Sequence, residues 1–314
     1  MIRHRIKRAL ELRKKIISPD TDCYRLINGD GDALSGVVVD RYRDILVMQL
    51  LTAGADRMRS EIVETLRELL APRALIERSY GAVRRQEGLA DTGGLLSGEP
   101  VSITMVRENG IEVLVDLEQG QKTGYFLDQR DNRALVRELA RGARVFDGYC
   151  YSAGFALAAL RGGARKIVAV DTSARALALA GRNLELNRRE PEHYELIHGE
   201  AAKYLDQSGA DFDIVIVDPP PFARNLKDAP RAAHHYTEIN RIGMQAVARG
   251  GFLVTFSCSM HFRGENFGRA VRIAAARAGR NFRLLRHLGP GADHPTMLGH
   301  GEGEYLTGLL GDMD

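Results

Sequence analysis

The chain has 314 residues, of which 44% are hydrophobic and 27% charged, values ordinary for a soluble globular protein with room for two domains. No window approaches eighteen apolar residues and no apolar signal core follows the basic N-terminus, so neither a membrane span nor secretion is expected. Three cysteines at positions 23, 150 and 258 have no metal-ligand spacing and no paired framework, which points to a reducing cytoplasm and to no bound metal.

The net charge of +3 hides an asymmetry, because Met1 to Ile17 holds seven Lys or Arg against the single acid Glu11. Arg84 with Arg85, and the stretch Arg269 to Arg286, form two further basic spots. Each suits a solvated helix face; together they are compatible with a polyanionic partner.

Arg3 to Ile17 reads as a basic helix stopped by Ser18-Pro19-Asp20. Tyr24–Ile27, Gly36–Asp40 and Asp44–Leu51 read as strands, the first two separated by an Asn-Gly-Asp-Gly turn. Met58, Ile62, Leu66 and Leu69 recur at helical spacing and predict one helix over Ala55–Leu70. Ala74–Glu77 follows as a short strand. Val101–Val106 and Ile111–Asp116 then flank Glu108-Asn109-Gly110 as a hairpin.

From Asp131 onward strand and helix alternate. Helices are expected at 131–141, 154–161, 174–188, 200–207, 234–247 and 265–278; strands at 144–147, 166–171, 194–198, 212–218 and 252–257; and two edge strands at 282–287 and 304–309. Alternation of this kind builds a doubly wound, mostly parallel sheet. The fold expected is therefore α/β: a small α+β domain over residues 1–118 and a Rossmann-like domain over 119–314.

Successive strand ends in the second domain carry acids. Asp147 opens Asp147-Gly-Tyr-Cys-Tyr-Ser-Ala-Gly154, with Gly148 and Gly154 allowing a sharp turn. Asp171 follows 24 residues later and Glu200 ends the third unit. The turn does not match G-x-G-x-x-G, and its aspartate would repel a phosphate. An acid-rich turn suits a cationic, phosphate-free nucleoside, and S-adenosyl-L-methionine fits, with Asp147 near the amino group, Asp171 on the ribose and Glu200 near the adenine. Singly, each acid reads equally well as a helix cap.

The fourth strand ends in Asp218-Pro-Pro-Pro-Phe222, and the fifth, Phe252-Leu-Val-Thr-Phe-Ser, delivers Cys258 at its carboxyl end. These segments, with Gly120-Gln-Lys-Thr-Gly-Tyr-Phe-Leu-Asp-Gln-Arg130 and Ala292-Asp-His-Pro295, resemble the RlmI-type family of cytosine-C5 methyltransferases acting on large-subunit ribosomal RNA. The likeness runs from the basic helix to Tyr305. It implies a class I methyltransferase domain, S-adenosyl-L-methionine as cofactor and ribosomal RNA as partner. Members usually begin with an RNA-binding PUA domain, and this chain starts after the point where that domain would end.

The resemblance also implies roles. Cys258 would add to C6 of cytosine and make C5 nucleophilic, and Asp218 would hydrogen-bond N3 and border the cofactor. The Pro219 carbonyl would accept from the exocyclic amine, Phe222 would stack on the flipped base, and Gln129 and Arg130 would meet the methionine end of the cofactor. Two other readings stay open: an exocyclic-amine methyltransferase that needs no thiol, and a non-catalytic RNA-binding module. Cys23 and Cys150 read as packing residues, His294 as a turn residue, and a homodimer is left open.

Overall fold

Helix α1 (Ile2–Ile16) forms where Ile2, Ile6, Ala9 and Arg13 fall on one face and are buried. Arg13 is thus not part of the solvated basic surface. Its guanidinium bonds Asp32 and the backbone carbonyls of Arg25 and Asp293, as a buried cation requires. The computed structural model describes residues 1–209, 211–223, 226–299, 303 and 305–314. Among these no helix is long and apolar enough to cross a membrane.

Contacts divide the chain into one unit of Met1–Arg130 with Gly291–Gly303 and another of Asp131–Pro290 with Glu304–Asp314. The first therefore extends past the expected boundary at 118. Thr123 is the reason: its hydroxyl meets Tyr42 Oη at 2.8 Å and the Asp40 carboxylate, while Tyr125 N–H donates to Tyr42 Oη. These bonds keep 119–130 with the unit that precedes them.

The first unit holds a five-stranded sheet. Its strands are β1 (Cys23–Asn28), β2 (Val37–Tyr42), β3 (Ile45–Leu50), β4 (Ala74–Ser79) and β5 (Thr92–Gly98), adjacent in that order. Only β3 and β4 are parallel. The helix expected over 55–70 is two, α2 (Ala53–Arg57) and α3 (Arg59–Leu70), because Thr52 caps Ala55 N–H and starts the first helix early, and Met58 leaves the helical range. Neither α4 (Ala82–Gln86) nor β5 was expected; β5 is rich in glycine and gains its order by pairing with β4. The hairpin of β6 (Ile103–Glu108) and β7 (Ile111–Asp116) is where the sequence puts it, with Asn109 and Gly110 both at positive φ as a two-residue turn needs.

The second unit runs α5 (Arg130–Leu139), β8 (Arg144–Gly148), α6 (Gly154–Arg161), β9 (Lys166–Asp171), α7 (Ala174–Leu186), β10 (Tyr194–His198), α8 (Ala201–Ser208), β11 (Phe212–Val217), α9 (Ala229–Ala246), β12 (Val247–Ser257), α10 (Glu265–Ala278), β13 (Phe282–Leu288) and β14 (Thr307–Met313). The sheet order is β10-β9-β8-β11-β12-β14-β13. The first five are parallel and β14 is antiparallel to both neighbours. This is the doubly wound α/β architecture, with near-continuous buried Val and Ile in β9 and β11.

Two details differ from expectation. Of the two strands expected at the edge, only β13 lies there. Buried β14 is inserted between β12 and β13, its Gly308 and Gly311 accommodating the rings of Phe256 and Phe282. Helix α9 begins five residues before His234, with proline in its first turn. Strand order reverses between β8 and β11, and the loops that diverge there open the crevice where such sheets bind ligands.

Candidate active site

At the carboxyl end of β8, Asp147 is buried and its carboxylate accepts the Ala156 N–H at 3.0 Å, capping α6. Burial pushes its pKa up to about 7; the Ala156 N–H opposes this, the charges of Asp218 and Asp171 add to it and Arg133 counters. Gly148 is needed for space, because a Cβ there would lie 2.8 Å from the Phe146 ring and 3.2 Å from Ala201 Cβ. Tyr149, Tyr151 and Ala153 then adopt positive φ of 63°, 49° and 66°. Each costs about 1–2 kcal/mol relative to the right-handed region, and such strain concentrates at ligand-binding turns. Gly154 is the first residue of α6.

Asp171 joins this turn to the next. One carboxylate oxygen accepts Tyr151 N–H at 2.9 Å and the other accepts Ser173 N–H at 2.8 Å. A carboxylate has about four acceptor positions, so half its capacity remains for hydroxyl donors. Glu200 is exposed at the start of α8 and makes no side-chain cap. Burial, then the Glu200 charge, push the phenol of Tyr149 up to about 12.

The chemical side is built by β11 and β12. Past β11, Asp218 is half-buried, Pro219 buried and Phe222 half-buried. The Phe222 ring meets Tyr236 edge-on at 4.8 Å and lies 5.2 Å from the His235 ring, so part of its surface belongs to the core. Past β12, Cys258 Sγ–H donates to the Pro219 carbonyl at 3.5 Å. The flanking serines are buried and fixed. Ser257 Oγ donates to Phe262 O at 2.7 Å; Ser259 Oγ pairs with Tyr236 Oη at 2.9 Å and accepts Ala223 N–H at 3.3 Å. The Tyr236 phenol is raised by burial and by the nearby Cys258, against hydrogen bonds from both serines. Sequence reasoning singled out Cys258 and passed over Ser257, Ser259 and Tyr236; the alternation Ser-Cys-Ser at a strand tip was the available signal.

The other thiols are sequestered. Cys23 is fully buried, and Cys150 is held well above the usual thiol range by burial and by the charges of Asp147 and Asp171. Of the three cysteines, only Cys258 is partly exposed. Among the described residues no cluster of three or more His, Cys, Asp or Glu could hold a metal ion.

Gln129 and Arg130 lie in the first unit and are buried. Arg130 Nη1 stands 2.9 Å from the Asp293 carboxylate, which also accepts Arg25 N–H at 2.8 Å and pairs with His294 Nδ1 at 3.1 Å. Burial alone would raise the Asp293 carboxyl; the His294 hydrogen bond, the charges of His294 and Arg130 and the Arg25 N–H outweigh it and hold it well below the usual carboxylate range. Here the Arg130 guanidinium thus meets a protein carboxylate, and His294 closes a turn through its N–H to Gly291 O.

Asp147, Asp171 and Asp218 converge at the carboxyl ends of β8, β9 and β11, close enough for the charges of the latter two to raise the pKa of the first. Carboxyl groups gathered in this way favour a cationic ligand over a phosphate. The family model for S-adenosylmethionine-dependent methyltransferases matches residues 33–262. The chain is 38% identical over 310 residues to "Ribosomal RNA large subunit methyltransferase I" of Shigella dysenteriae, covering 97% of this chain and 78% of that protein. With the protein of the same name from Salmonella gallinarum it shares 39% identity over 311 residues, covering 98% and 77%. Among solved structures, SMU.776 complexed with SAH superposes with a TM-score of 0.86 at 25% identity, covering 99% of this chain and 80% of that one.

Proposed function

The chain belongs to the S-adenosylmethionine-dependent methyltransferase family, and we propose that it methylates C5 of a cytosine in large-subunit ribosomal RNA through a covalent adduct with Cys258. The observation that carries this reading is the 3.5 Å approach of Cys258 Sγ to the Pro219 carbonyl, inside the Asp218-Pro-Pro-Pro-Phe222 loop. The substrate class comes from relatives named for large-subunit ribosomal RNA.

S-adenosylmethionine, when bound, supplies the electrophilic methyl group, and Asp147, Asp171, Glu200 and Asp218 are the side chains proposed to line its site. The protein's own work is on the base. Cys258 gives up its proton and the sulfur forms a bond to C6, which moves an electron pair onto C5 and makes that carbon nucleophilic. Asp218, charged at rest, is proposed to take up the proton that the thiol gives up and to donate it to N3, which stabilises the charge that develops there. The Pro219 carbonyl accepts a hydrogen from the exocyclic amine, and Phe222 offers a ring face to the flipped base. Once C5 carries the methyl group, loss of its proton returns the electron pair, breaks the S–C6 bond and regenerates the thiolate. The first unit, with the exposed cations Lys7, Arg8 and Lys15 on α1, is proposed to help hold RNA.

Methyl transfer from labelled cofactor to large-subunit ribosomal RNA, compared between the wild type and Cys258→Ala, tests the reading. Loss of transfer in the variant is expected. Normal transfer would redirect the reaction to an exocyclic amine, and cofactor binding with no transfer by the wild type would leave an RNA-binding module.

A further inference from the structure

Helix α10 and the edge strand β13 enclose a groove of about 780 Å³ in the second unit. Its floor is apolar, from Phe282, Leu284 and Leu309, and its rim carries Arg269, Arg272 and His287. Leu284 is 45% exposed. Arg280 also lines it, but its guanidinium is committed to the carbonyls of Met244, Val247 and Asp314. Glu265 is the one acid in the lining among the described residues. Among the described residues neither Arg269 nor Arg272 on α10 has an ion-pair partner, whereas Arg283 on β13 is paired with Asp312.

We infer that this groove binds a single-stranded segment of RNA flanking the methylated nucleotide, the arginines meeting phosphates and the apolar floor meeting base faces. The inference rests on the RNA-methyltransferase reading and extends it to a second surface. Charge and shape argue for this occupant: exposed arginines without an ion-pair partner among the described residues stand beside exposed Leu284 and the half-buried ring of Phe282, and a basic groove with an aromatic ring is the combination that non-specific single-strand sites use.

Position argues for it as well. Ser257 stands opposite Thr307 in the ladder, Gly308 stands opposite Leu288, and Gly264 N–H donates to Thr307 Oγ1 at 3.2 Å. The upper end of the groove therefore opens two strand spacings, roughly 10 Å, from the Cys258 loop. From there β13 runs its seven residues over roughly 20 Å, room for about six stacked nucleotides. A base flipped toward Cys258 leaves its neighbours within reach of that opening.

The test measures binding of a fluorescein-labelled twelve-nucleotide single-stranded RNA to the full chain by anisotropy over a range of KCl concentrations. The Arg269→Glu/Arg272→Glu variant is compared with Arg182→Glu/Arg277→Glu, which changes charge equally but off the groove. Folding and cofactor binding are verified by circular dichroism and calorimetry. The groove variant should bind at least about tenfold more weakly, and its slope of log affinity against log salt should fall by about 1.4, or 0.7 per lost phosphate contact; the control should keep the wild-type slope. A wild type that methylates ribosomal RNA while the groove variant keeps wild-type affinity and slope overturns this inference and leaves the proposed function standing. A groove variant that instead loses self-association in sedimentation, with RNA binding unchanged, also overturns it and makes the groove a contact between copies. A wild type that neither binds nor methylates RNA fails the proposed function itself.

Discussion

Cys258 Sγ donates its hydrogen to the carbonyl oxygen of Pro219 across 3.5 Å, linking the tips of two adjacent parallel strands. The bond exists only while the sulfur holds its proton, and it takes one of the two acceptor positions on the oxygen proposed to meet the amine of the target base. Entry of that base at that position would compete for Pro219 O and free the sulfur.

In the native chain iodoacetamide should label Cys258 alone, since Cys23 and Cys150 are buried and Cys258 is half-buried. Peptide mass spectrometry should find one modified site before unfolding and three after. Labelling of Cys150 at a comparable rate would show that the β8 turn opens.

Tyr236→Phe removes the 2.9 Å hydrogen bond to Ser259 Oγ while keeping the ring packed against Phe222, Phe262 and Phe267. The stability cost should be about 1 kcal/mol. Ser259 would keep its bond from Ala223 N–H, so the fold persists while the loop holding Cys258 loosens. The turnover rate should fall several-fold with cofactor affinity unchanged. Equal loss of cofactor affinity would contradict a role confined to the thiol loop.

The turn after β8 predicts opposite outcomes at two small residues. Gly148→Ala pushes a methyl into Phe146 and Ala201 and should cost about 1–3 kcal/mol in denaturant titration. Ala153→Gly relieves a left-handed conformation at φ 66° but gives up a buried methyl of about 0.8 kcal/mol and adds unfolded-state entropy of similar size. It should lie within about 1 kcal/mol of the wild type.

Two aspartates give pH effects of opposite sign. Asp147 has a folded pKa of about 7 against an unfolded value of about 3.9. The folded protein binds more protons in that window, so stability falls as pH rises from about 4 to 7 and then levels, by an amount on the order of 4 kcal/mol. Asp147→Asn should flatten the slope in urea titrations of the cofactor-free protein at pH 4.5, 6 and 7.5. The carboxyl of Asp293 is depressed; its stabilisation is present above about pH 4 and lost on acidification below it. Asp293→Asn should lower stability at neutral pH and shrink the acid-induced loss.

The places of Asp218 and Cys258 were legible because each stands at the end of a strongly patterned strand. The run Phe252–Ser257 and the sequence Asp218-Pro-Pro announce a buried strand and its exit, and both emerge at one end of the sheet. What stayed hidden depends on distant partners. Arg13 reads as one of seven solvated cations, yet it is buried against a carbonyl 280 residues away. Arg130 reads as a ligand-binding cation, and its pairing with Asp293 needs a return of the chain that no local pattern announces. Likewise β14 is interior because β12 and β13 both pair with it, whereas its apolar sequence suits an edge equally well.

The central claim is a covalent bond between Cys258 and C6 of cytosine, and the most direct measurement replaces the target base with 5-fluorocytosine. After methyl transfer C5 carries fluorine where a removable proton would be, so the thiolate cannot be expelled. The account predicts a denaturation-resistant protein–RNA species that requires S-adenosylmethionine, maps to Cys258 by mass spectrometry and is absent from Cys258→Ala. Methylation of the unmodified RNA at that position, with no such species from its fluorinated counterpart, would contradict it.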